Sequence, residues 1–400
     1  MPTKKELPIL IVGAGIGGMA VALALAKVKI KTILFEQASE FRIAGAGLQF
    51  CPNTLKVIDY LGMYKDFEKI AIFPDNLCYV DGLTGFKFLN LPLGDKFVER
   101  FRYPFASFKR EDVLRVFLEN CKQSPLIKLV TSARVVEVKD LEDRVVVNTE
   151  QKDSFEGDAV IGCDGLWSIV RNFILGNEDP ASSGQIIYRG VVKSEDMPKN
   201  LQLNDITHYV RPNAHIVYYP IGNRGYFNIS AIYQTNRVVD PRETAANPEE
   251  LQYWFKDSIP VVMELLSLVD KTRMWSLNDR TPISSWSRGR MALLGDAAHP
   301  TLPYLTSGAG MAVEDAITLA HKISEYRGDY PKIFSEYQKE RYIRTAYVQL
   351  FSRAYGNVHH SKGVARELRN SLISKRSVEE NYDWISYLYS GIDLPNKTVS

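Results

Sequence analysis

Cysteine is scarce in this sequence, and its spacing is not that of a metal site or a disulfide framework. Only Cys51, Cys78, Cys121 and Cys163 occur in 400 residues, and no two of them form a CxxC pair. Disulfide scaffolds and structural zinc sites depend on closely spaced cysteines. The pattern therefore predicts inert buried thiols in a reducing compartment, and we expect no metal site.

The sequence also lacks a long apolar run and an excess of charge of one sign. No window holds the roughly 18 consecutive apolar residues of a membrane span. The 49 Lys and Arg residues nearly balance 47 Asp and Glu residues, which gives a formal net charge of +2. No overall field then favours nucleic acid or a membrane surface. We expect a globular protein with neither partner, whose ligands must be inferred from individual sites.

Near the N-terminus, Lys4 and Lys5 precede an apolar stretch and imitate a secretory signal peptide. Glycines interrupt that stretch, and a strand that ends in an acidic residue follows it directly. Signal peptides have neither feature. We favour a folded segment over a cleaved leader and expect a cytoplasmic protein.

The stretch from Pro8 to Glu36 has the pattern of a dinucleotide-binding unit. A short apolar run predicts a buried parallel strand, Gly13, Gly15 and Gly18 form a GxGxxG turn that opens a helix, and a second strand ends in an acid. The first glycine permits the tight turn, the second lets the backbone approach a pyrophosphate, and the third lets helix pack on strand. The acid stands where a ribose is expected. The disfavoured alternative is a plain strand crossover without a ligand.

Two later stretches also follow predicted buried strands. CDG contains Asp164, and GDAAHP contains Asp296. Open α/β sheets bind ligands at the carboxyl ends of their strands, so we expect both stretches to join the glycine turn in one site. Asp296 would accept hydrogen bonds from sugar hydroxyls, and the helix that opens at Gly308 would offer backbone N–H groups to an electron-rich ring edge. A plain NAD dehydrogenase would not need both stretches.

Strand-rich segments twice interrupt the alternation of helices and strands, which predicts a second domain. These segments are rich in aromatic and strand-forming residues with turn breaks between them, and we expect them to form one antiparallel sheet. The predicted division is a discontinuous dinucleotide-binding domain (1–71, 101–184 and 278–345), a substrate-binding sheet domain (72–100 and 185–277) and a C-terminal helical region (346–400).

Together, GAGIGG with Glu36, Arg110, DGLWSIVR and GDAAHP resemble the group A flavoprotein aromatic hydroxylases, the para-hydroxybenzoate hydroxylase superfamily. GVARELRNSL and YDWISYLYSGID are similar to the salicylate hydroxylase and 3-hydroxybenzoate 6-hydroxylase branch. The resemblance covers nearly the whole chain. It implies an α/β fold with a Rossmann-type FAD-binding domain, an inserted antiparallel-sheet substrate domain and C-terminal helices.

The resemblance further implies an FAD-dependent monooxygenase. Such an enzyme uses NADH or NADPH and O2 to hydroxylate a small aromatic acid, of the hydroxybenzoate, salicylate or hydroxypyridine carboxylate type, through a flavin C4a-hydroperoxide. Because only one dinucleotide fingerprint is present, the nicotinamide cosubstrate is expected to bind transiently. The oligomeric state is left open between a monomer and a homodimer. The FAD contacts that the resemblance implies are Gly13, Gly15, Gly18, Glu36, Gly47, Arg110, Asp164, Asp296 and Ala309.

The strand AHIVYYP contains the candidate base. A period of two puts His215, Val217 and Tyr219 on one face, and attack on a phenolate is faster than on a phenol, so a base near the substrate hydroxyl is expected. The salicylate and 3-hydroxybenzoate branch has a similar histidine and tyrosine spacing, which implies His215 as base and Tyr219 as hydrogen-bond partner. The alternative is a buried strand histidine with a structural role.

Other polar side chains leave more than one interpretation. Arg189 either binds a substrate carboxylate or forms an interdomain salt bridge, and Tyr304 either lines the pocket or packs. His299 is expected to be structural, and His359 and His360 are expected on a solvated helix surface rather than as metal ligands. Three further residues are expected to lie on one helix face and to have a structural role, namely Tyr337, Arg341 and Arg344.

One departure from the family leaves the substrate open. Relatives commonly have Gln before the glycine, where this chain has Thr306 and Ser307. The shorter Ser307 cannot reach as far, so an amide contact to substrate or flavin is expected to be absent. Two rival functions stay open, namely a flavoprotein of the same fold that acts on a larger polyketide, tetracycline-like or quinone-like molecule, and a nonenzymatic dinucleotide-binding escort module.

Overall fold

The computed structural model describes residues 6–40, 46–223 and 225–394, so Lys4 and Lys5 lie outside the described residues. The strands, in chain order, are β1 (Ile9–Val12), β2 (Thr32–Phe35), β3 (Gly47–Phe50), β4 (Asn76–Asp81), β5 (Lys87–Pro92), β6 (Ala106–Lys109), β7 (Ile127–Val130), β8 (Val135–Asp140), β9 (Val145–Thr149), β10 (Ser154–Gly157), β11 (Ala159–Gly162), β12 (Ala181–Lys193), β13 (Ile206–Arg211), β14 (Ala214–Ile221), β15 (Tyr226–Gln234), β16 (Trp275–Asp279), β17 (Ser287–Arg288) and β18 (Met291–Leu293).

The helices cover the glycine turn, the connections between strands and most of the C-terminal part. In chain order they are α1 (Ile16–Lys27), α2 (Pro52–Leu61), α3 (Tyr64–Ile70), α4 (Asp95–Phe101), α5 (Arg110–Gln123), α6 (Ile169–Leu175), α7 (Pro248–Phe255), α8 (Pro260–Ser267), α9 (Gly308–Tyr326), α10 (Tyr330–His359), α11 (Val364–Ser374) and α12 (Val378–Tyr389). None of the helices in the described ranges is long and apolar enough to cross a lipid bilayer.

A six-stranded sheet forms the first layer, in the order β17-β18-β11-β1-β2-β7. Neighbouring strands pair in parallel, except that β17 and β18 pair with each other antiparallel. All four residues of β1 and of β11 are buried, which explains why these strands are apolar throughout rather than alternating. Helix α1 follows β1, so the glycine turn lies at the carboxyl end of the sheet.

A seven-stranded sheet forms the second layer, in the order β16-β12-β15-β14-β13-β4-β5. Strands from the two predicted insertions join in it, as expected, and neighbouring strands pair antiparallel everywhere except at one joint. Strand β4 pairs with β13 in parallel, with Leu77 opposite Ile206. The chain leaves this sheet after β5 and re-enters it at β12, so the strands that meet at this joint are not connected by a hairpin, which alone would force them to be antiparallel.

The seven-stranded sheet has two different faces. Side chains such as Ile216, Tyr218 and Ile229 pack in a core with α7 and α8. The alternate side chains of the same strands face the six-stranded sheet. The C-terminal helices pack on this side, because Tyr382 and Leu388 of α12 cluster with Val217 and Tyr219, and Ile373 of α11 packs against Val210. Helix α10 runs unbroken across residues 345 and 346, where the sequence placed a boundary.

Candidate active site

A cavity of about 430 Å³ lies between the carboxyl ends of the six-stranded sheet and the open face of the seven-stranded sheet. The glycine turn, β3, the start of α5 and the segment after β18 form one wall. Strands β12 to β15 form the opposite wall, and the end of α10 closes one side. Three stretches that are far apart in sequence therefore meet in one space.

The glycines of the first turn serve two purposes. Gly13 has φ of +98°, and a Cβ there would lie 2.5 Å from the Cys163 carbonyl oxygen. A Cβ on Gly18 would lie 1.9 Å from the Gly13 carbonyl oxygen. Gly15, in contrast, has open space before it and lines the cavity. Gly13 and Gly18 thus permit close packing of the turn, and Gly15 leaves its backbone accessible to a ligand.

On the wall formed by the glycine turn, two charged side chains face the cavity without a partner among the described residues. Asp296 is exposed to the cavity space, and neither its carboxylate nor the guanidinium of Arg110 forms a hydrogen bond or ion pair with a described residue. Although Asp296 is accessible, the surrounding protein raises the pKa of its carboxyl by desolvation, while His299 and Arg110 act in the opposite direction. Charged groups held in this way are suited to a polar ligand.

Strand β3 brings its backbone and one amide to the same wall. The Gly47 N–H donates to Asn228 Oδ1 at 2.8 Å, which ties β3 to β15. A Cβ on Gly47 would lie 2.6 Å from both the Tyr219 ring and its hydroxyl oxygen. Gln49 also lines the cavity, and its buried Nε2 has no partner among the described residues. The sequence analysis did not single out Gln49, because an amide in a short strand gives no signal of its own.

Ala309 lies in the first turn of α9, on the cavity wall. The residue before this helix, Ser307, does not cap it, since its hydroxyl donates instead to the Leu305 carbonyl at 2.6 Å. The first N–H groups of α9 are therefore available to a ligand. Thr306 has φ of +54°, and neither Thr306 nor Ser307 presents a side-chain amide to the cavity.

Four of the predicted cofactor residues lie outside the cavity lining, namely Gly13 and Gly18 of the glycine turn, Glu36 and Asp164. Glu36 accepts from the N–H groups of Ala14 at 3.3 Å and Ala38 at 2.9 Å, and so holds the glycine turn from behind. Asp164 accepts from Ser168 Oγ at 2.5 Å and from the Ile169 N–H at 2.7 Å, which is the geometry of a cap on α6. The neighbours Cys163 and Gly165 line the cavity instead.

On the opposite wall, the alternation predicted for β14 is present. His215, Val217 and Tyr219 all line the cavity. In register with them across β15 are Ile232, Ser230 and Asn228, which also line it. Burial raises the pKa of the Tyr219 hydroxyl, so this group is a neutral hydrogen-bond donor.

Arg189 extends the same wall from β12, where it lies opposite Ser230. Its guanidinium forms no salt bridge with a described residue, and its central carbon lies 5.7 Å from the centroid of the Trp275 ring. The interdomain salt bridge is therefore not formed. Tyr304 meets both of its expectations, because it lines the cavity and its hydroxyl donates to Gln185 Oε1 at 2.8 Å.

The expectation of a solvated surface for His359 and His360 was wrong. His359 is 2% exposed and His360 is 8% exposed, and both pack against His215 at the end of α10. The His215 Nδ1 and His360 Nε2 atoms lie 2.9 Å apart. His208 lies beside them, with its ring centroid 6.1 Å from that of His215. Paired histidines gave no apolar periodicity that could have revealed this burial.

These four histidines, His208, His215, His359 and His360, form what we call the histidine wall. Burial lowers the pKa of each, to about 3 for His208 and to about 4 for His360. The wall is therefore neutral at pH 7, and each ring can donate one hydrogen bond and accept another without carrying a charge. His299 lies elsewhere, paired with Asp315 at 2.6 Å in the core, in agreement with a structural role.

The chain was compared with known proteins. A family model described as FAD binding domain matches residues 6–351. The 3-hydroxybenzoate 6-hydroxylase of Polaromonas naphthalenivorans (strain CJ2) is 36% identical over 384 residues, which is 96% of this chain and 96% of that protein. The 3-amino-4-hydroxybenzoate 2-monooxygenase of Streptomyces platensis is 32% identical over 380 residues, covering 94% and 95%. Klebsiella pneumoniae HpxO, solved with FAD and uric acid, has the same fold, with a TM-score of 0.85 at 24% identity over 97% of this chain and 98% of that one.

Proposed function

This chain belongs to the FAD-binding domain family and, within it, to the group A flavoprotein aromatic hydroxylases, and from that membership we propose which substrate it takes and which residues act. It is an FAD-dependent monooxygenase that uses NAD(P)H. Its proposed substrate is a small aromatic acid with a ring hydroxyl, and its second cosubstrate is O2. The observation that carries the proposal is one cavity whose opposite walls hold unpartnered cofactor-type groups and the histidine wall.

The residues present fit FAD. Asp296 would accept from hydroxyls of the ribityl chain, Arg110 would pair with the phosphates, and Gly15 would leave its backbone close to them. Gly47 and Ala309 would contact the ring system from β3 and from α9. When bound, the flavin supplies the redox and oxygen-transfer chemistry. The chain supplies position, exclusion of water and control of protons.

We assign proton transfer to His215. A ring nitrogen of His215 takes the proton of the substrate hydroxyl, so the O–H bond breaks, an N–H bond forms, and the oxygen keeps the electron pair. The resulting phenolate is more reactive at the ring carbons than the phenol. The lowered pKa of His215 keeps it unprotonated at pH 7, and Tyr219 would donate a hydrogen bond on the same face.

We assign the carboxylate of the substrate to Arg189. A guanidinium binds a carboxylate through two parallel hydrogen bonds, and Arg189 has none with a described side chain. Both relatives described above are named for hydroxylated benzoates, which supports a carboxylate on the ring. Because the cavity of about 430 Å³ must also receive the flavin ring, its size favours a single-ring substrate over a polycyclic one.

Oxygen consumption by the FAD-loaded protein tests the proposal. NADH and NADPH would each be supplied with a panel of hydroxybenzoates, salicylate and hydroxypyridine carboxylates, and products would be identified by mass. We expect one compound to stimulate consumption and to gain one oxygen atom. Stimulation by none of them would contradict the proposed substrate class and favour a larger substrate. A chain that retains no FAD after gentle purification would favour the escort function.

His215→Ala tests the proton transfer. We expect FAD to stay bound, because His215 lies on the wall opposite the cofactor groups, and hydroxylation to fall about 100-fold or more. Reduction of the flavin by NAD(P)H should change much less. Coupled turnover at the wild-type rate would remove His215 from the mechanism.

A further inference from the structure

Backbone hydrogen bonds at the end of α10 hold His360 next to the strand that carries His215. The His360 N–H donates to the Gly356 carbonyl at 3.1 Å, and its carbonyl accepts from the Asn213 N–H at 3.1 Å. Asn213 lies just before β14, the strand that carries His215. The backbone N–H of His360 is thus bonded to α10, and its carbonyl is bonded to the residue that precedes β14 of the seven-stranded sheet. The 2.9 Å separation between His215 Nδ1 and His360 Nε2 follows from this arrangement.

Two neutral imidazoles at this separation share one hydrogen atom. Either His215 Nδ1 donates and His360 Nε2 accepts, or the reverse, and the choice decides which nitrogen of His215 stays free to accept a proton. If His360 donated, His215 would carry its hydrogen on Nε2, and that nitrogen could no longer act as a base. The direction of this one bond therefore determines whether His215 can take a proton from the substrate.

The groups around the pair keep His360 neutral. His208 and His359 face His215, as does Tyr304. Behind them the guanidinium of Arg369, which is 6% exposed, donates to the His359 carbonyl at 2.7 Å. Its positive charge adds to burial in lowering the pKa of His360. His360 is therefore neutral at pH 7 and has one unprotonated ring nitrogen that can accept a hydrogen bond.

We propose that His360 is a positioning residue: its Nε2 accepts a hydrogen bond from Nδ1–H of His215 and thereby leaves Nε2 of His215 as the atom that takes the proton of the substrate hydroxyl. The bond persists after the transfer, because the imidazolium of His215 still has its Nδ1–H. The catalytic consequence rests on the proposed function, whereas the tautomer of His215 is a property of the protein before any substrate binds.

The tautomer is measured first, by long-range ¹H–¹⁵N correlation spectra of the full-length, FAD-loaded protein with labelled histidine. The chain has 6 histidines, and loss of one signal set in His215→Ala assigns His215. We expect the wild-type ring to be protonated at Nδ1. A ring protonated at Nε2 would overturn the proposal, whatever reaction the enzyme catalyses.

Two variants then separate the hydrogen bond from mere filling of space. In His360→Gln the amide oxygen can accept from Nδ1–H but cannot titrate, and we expect the tautomer and the rate to be kept within about threefold. In His360→Leu the acceptor is lost, and we expect a mixture of tautomers and hydroxylation lowered about tenfold to 100-fold, with flavin reduction unchanged. Equal rates in His360→Leu and wild type would overturn the proposal.

The spectra keep the two hypotheses apart. If no aromatic acid on the panel is hydroxylated, the proposed function fails, but the His215 tautomer still tests the role of His360. If hydroxylation occurs and the tautomer is the other one, only the role of His360 fails.

The matched control is His321→Gln, because His321 lies on the exposed side of α9. This variant should change neither the tautomer of His215 nor the rate of hydroxylation. Should His360→Leu fail to fold, the wild-type tautomer and His360→Gln still decide the question.

Discussion

At the scale of single residues, Asp296 is the side chain whose substitution should affect the cofactor most. Its carboxylate faces the cavity and has no hydrogen-bond or ion-pair partner in the part of the chain that the structure describes. Asp296→Asn would replace a charged acceptor by a neutral one, and hydrogen bonds to charged groups contribute about 1.5–3 kcal/mol. We therefore expect FAD affinity, measured by titration of the FAD-free protein, to fall about tenfold to 100-fold.

The control for this prediction is Asp66→Asn, because Asp66 pairs with Lys69 on the exposed side of α3. It should leave FAD affinity unchanged. Wild-type affinity in Asp296→Asn would count against Asp296 as a cofactor contact and would shift attention to Arg110 and Gln49, the other unpartnered groups of that wall.

Sequence reasoning at this scale depended on whether a residue belonged to a regular pattern. The alternation of β14 predicted that His215, Val217 and Tyr219 share a face, and the structure has all three on the cavity wall. His359 and His360 belong to no such pattern. They lie at the end of a helix of mixed composition, and only the docking of that end against β14 buries them.

At the scale of elements, α9 and α10 are joined by charges in the core. Glu314 and Asp315 of α9 are fully buried, and Arg341 of α10 contacts both, at 2.8 Å and 2.7 Å. Removing one partner of such a group leaves uncompensated buried charge, which typically costs about 3–5 kcal/mol. Arg341→Met should lower the free energy of unfolding by that amount, measured by urea denaturation of the FAD-saturated protein.

Lys339→Met is the comparison for this variant. Lys339 lies two residues earlier on α10 and pairs with Glu336 at the surface, where an ion pair contributes at most about 1 kcal/mol. Its effect should be small. If both variants lost the same stability, a cost of helix substitution, and not the buried charges, would explain the result.

Elements with a strong pattern of their own were predictable, and the joints between them were not. The apolar runs of β1 and β11 and the glycine turn before α1 were identified from local sequence, because burial on both faces demands apolar residues throughout. The parallel pairing of β4 with β13 depends on contacts between segments about 130 residues apart. No local pattern encodes such a pairing. For the same reason, no local pattern showed that α10 continues as one helix across the predicted boundary at residues 345 and 346.

At the scale of the whole molecule, the candidate site exists only where the two sheets meet. The cofactor-type groups follow strands of the parallel sheet, the candidate base lies on the other sheet, and its partner His360 comes from the C-terminal helices. Sequence motifs could predict the first set because a phosphate-binding turn needs glycines at fixed spacing. His360 belongs to no motif, because its position depends on how the C-terminal helices pack against the complete sheets.

The histidine wall should make the stability of the whole protein sensitive to acid. An unfolded histidine titrates near pH 6.5, whereas burial lowers the pKa of His208 to about 3 and of His360 to about 4. Below pH 6.5 the unfolded chain binds protons that the folded protein does not, so stability present above that pH is lost as the pH falls toward 4. At pH 5 the loss should reach about 2 kcal/mol for each of His208 and His360.

Urea denaturation at pH 8, 6.5 and 5, with FAD in constant excess because bound ligand stabilises the folded state, measures this loss. His208→Phe keeps a ring that can stack on Tyr79, 4.6 Å from it in the wild type, but cannot titrate. The variant should therefore lose about 2 kcal/mol less than wild type between pH 8 and pH 5, while His321→Asn, on the exposed side of α9, should follow the wild-type curve. Parallel curves for wild type and His208→Phe would mean that His208 titrates alike in the folded and unfolded states. The lowered pKa would then be limited to the other three histidines of the wall.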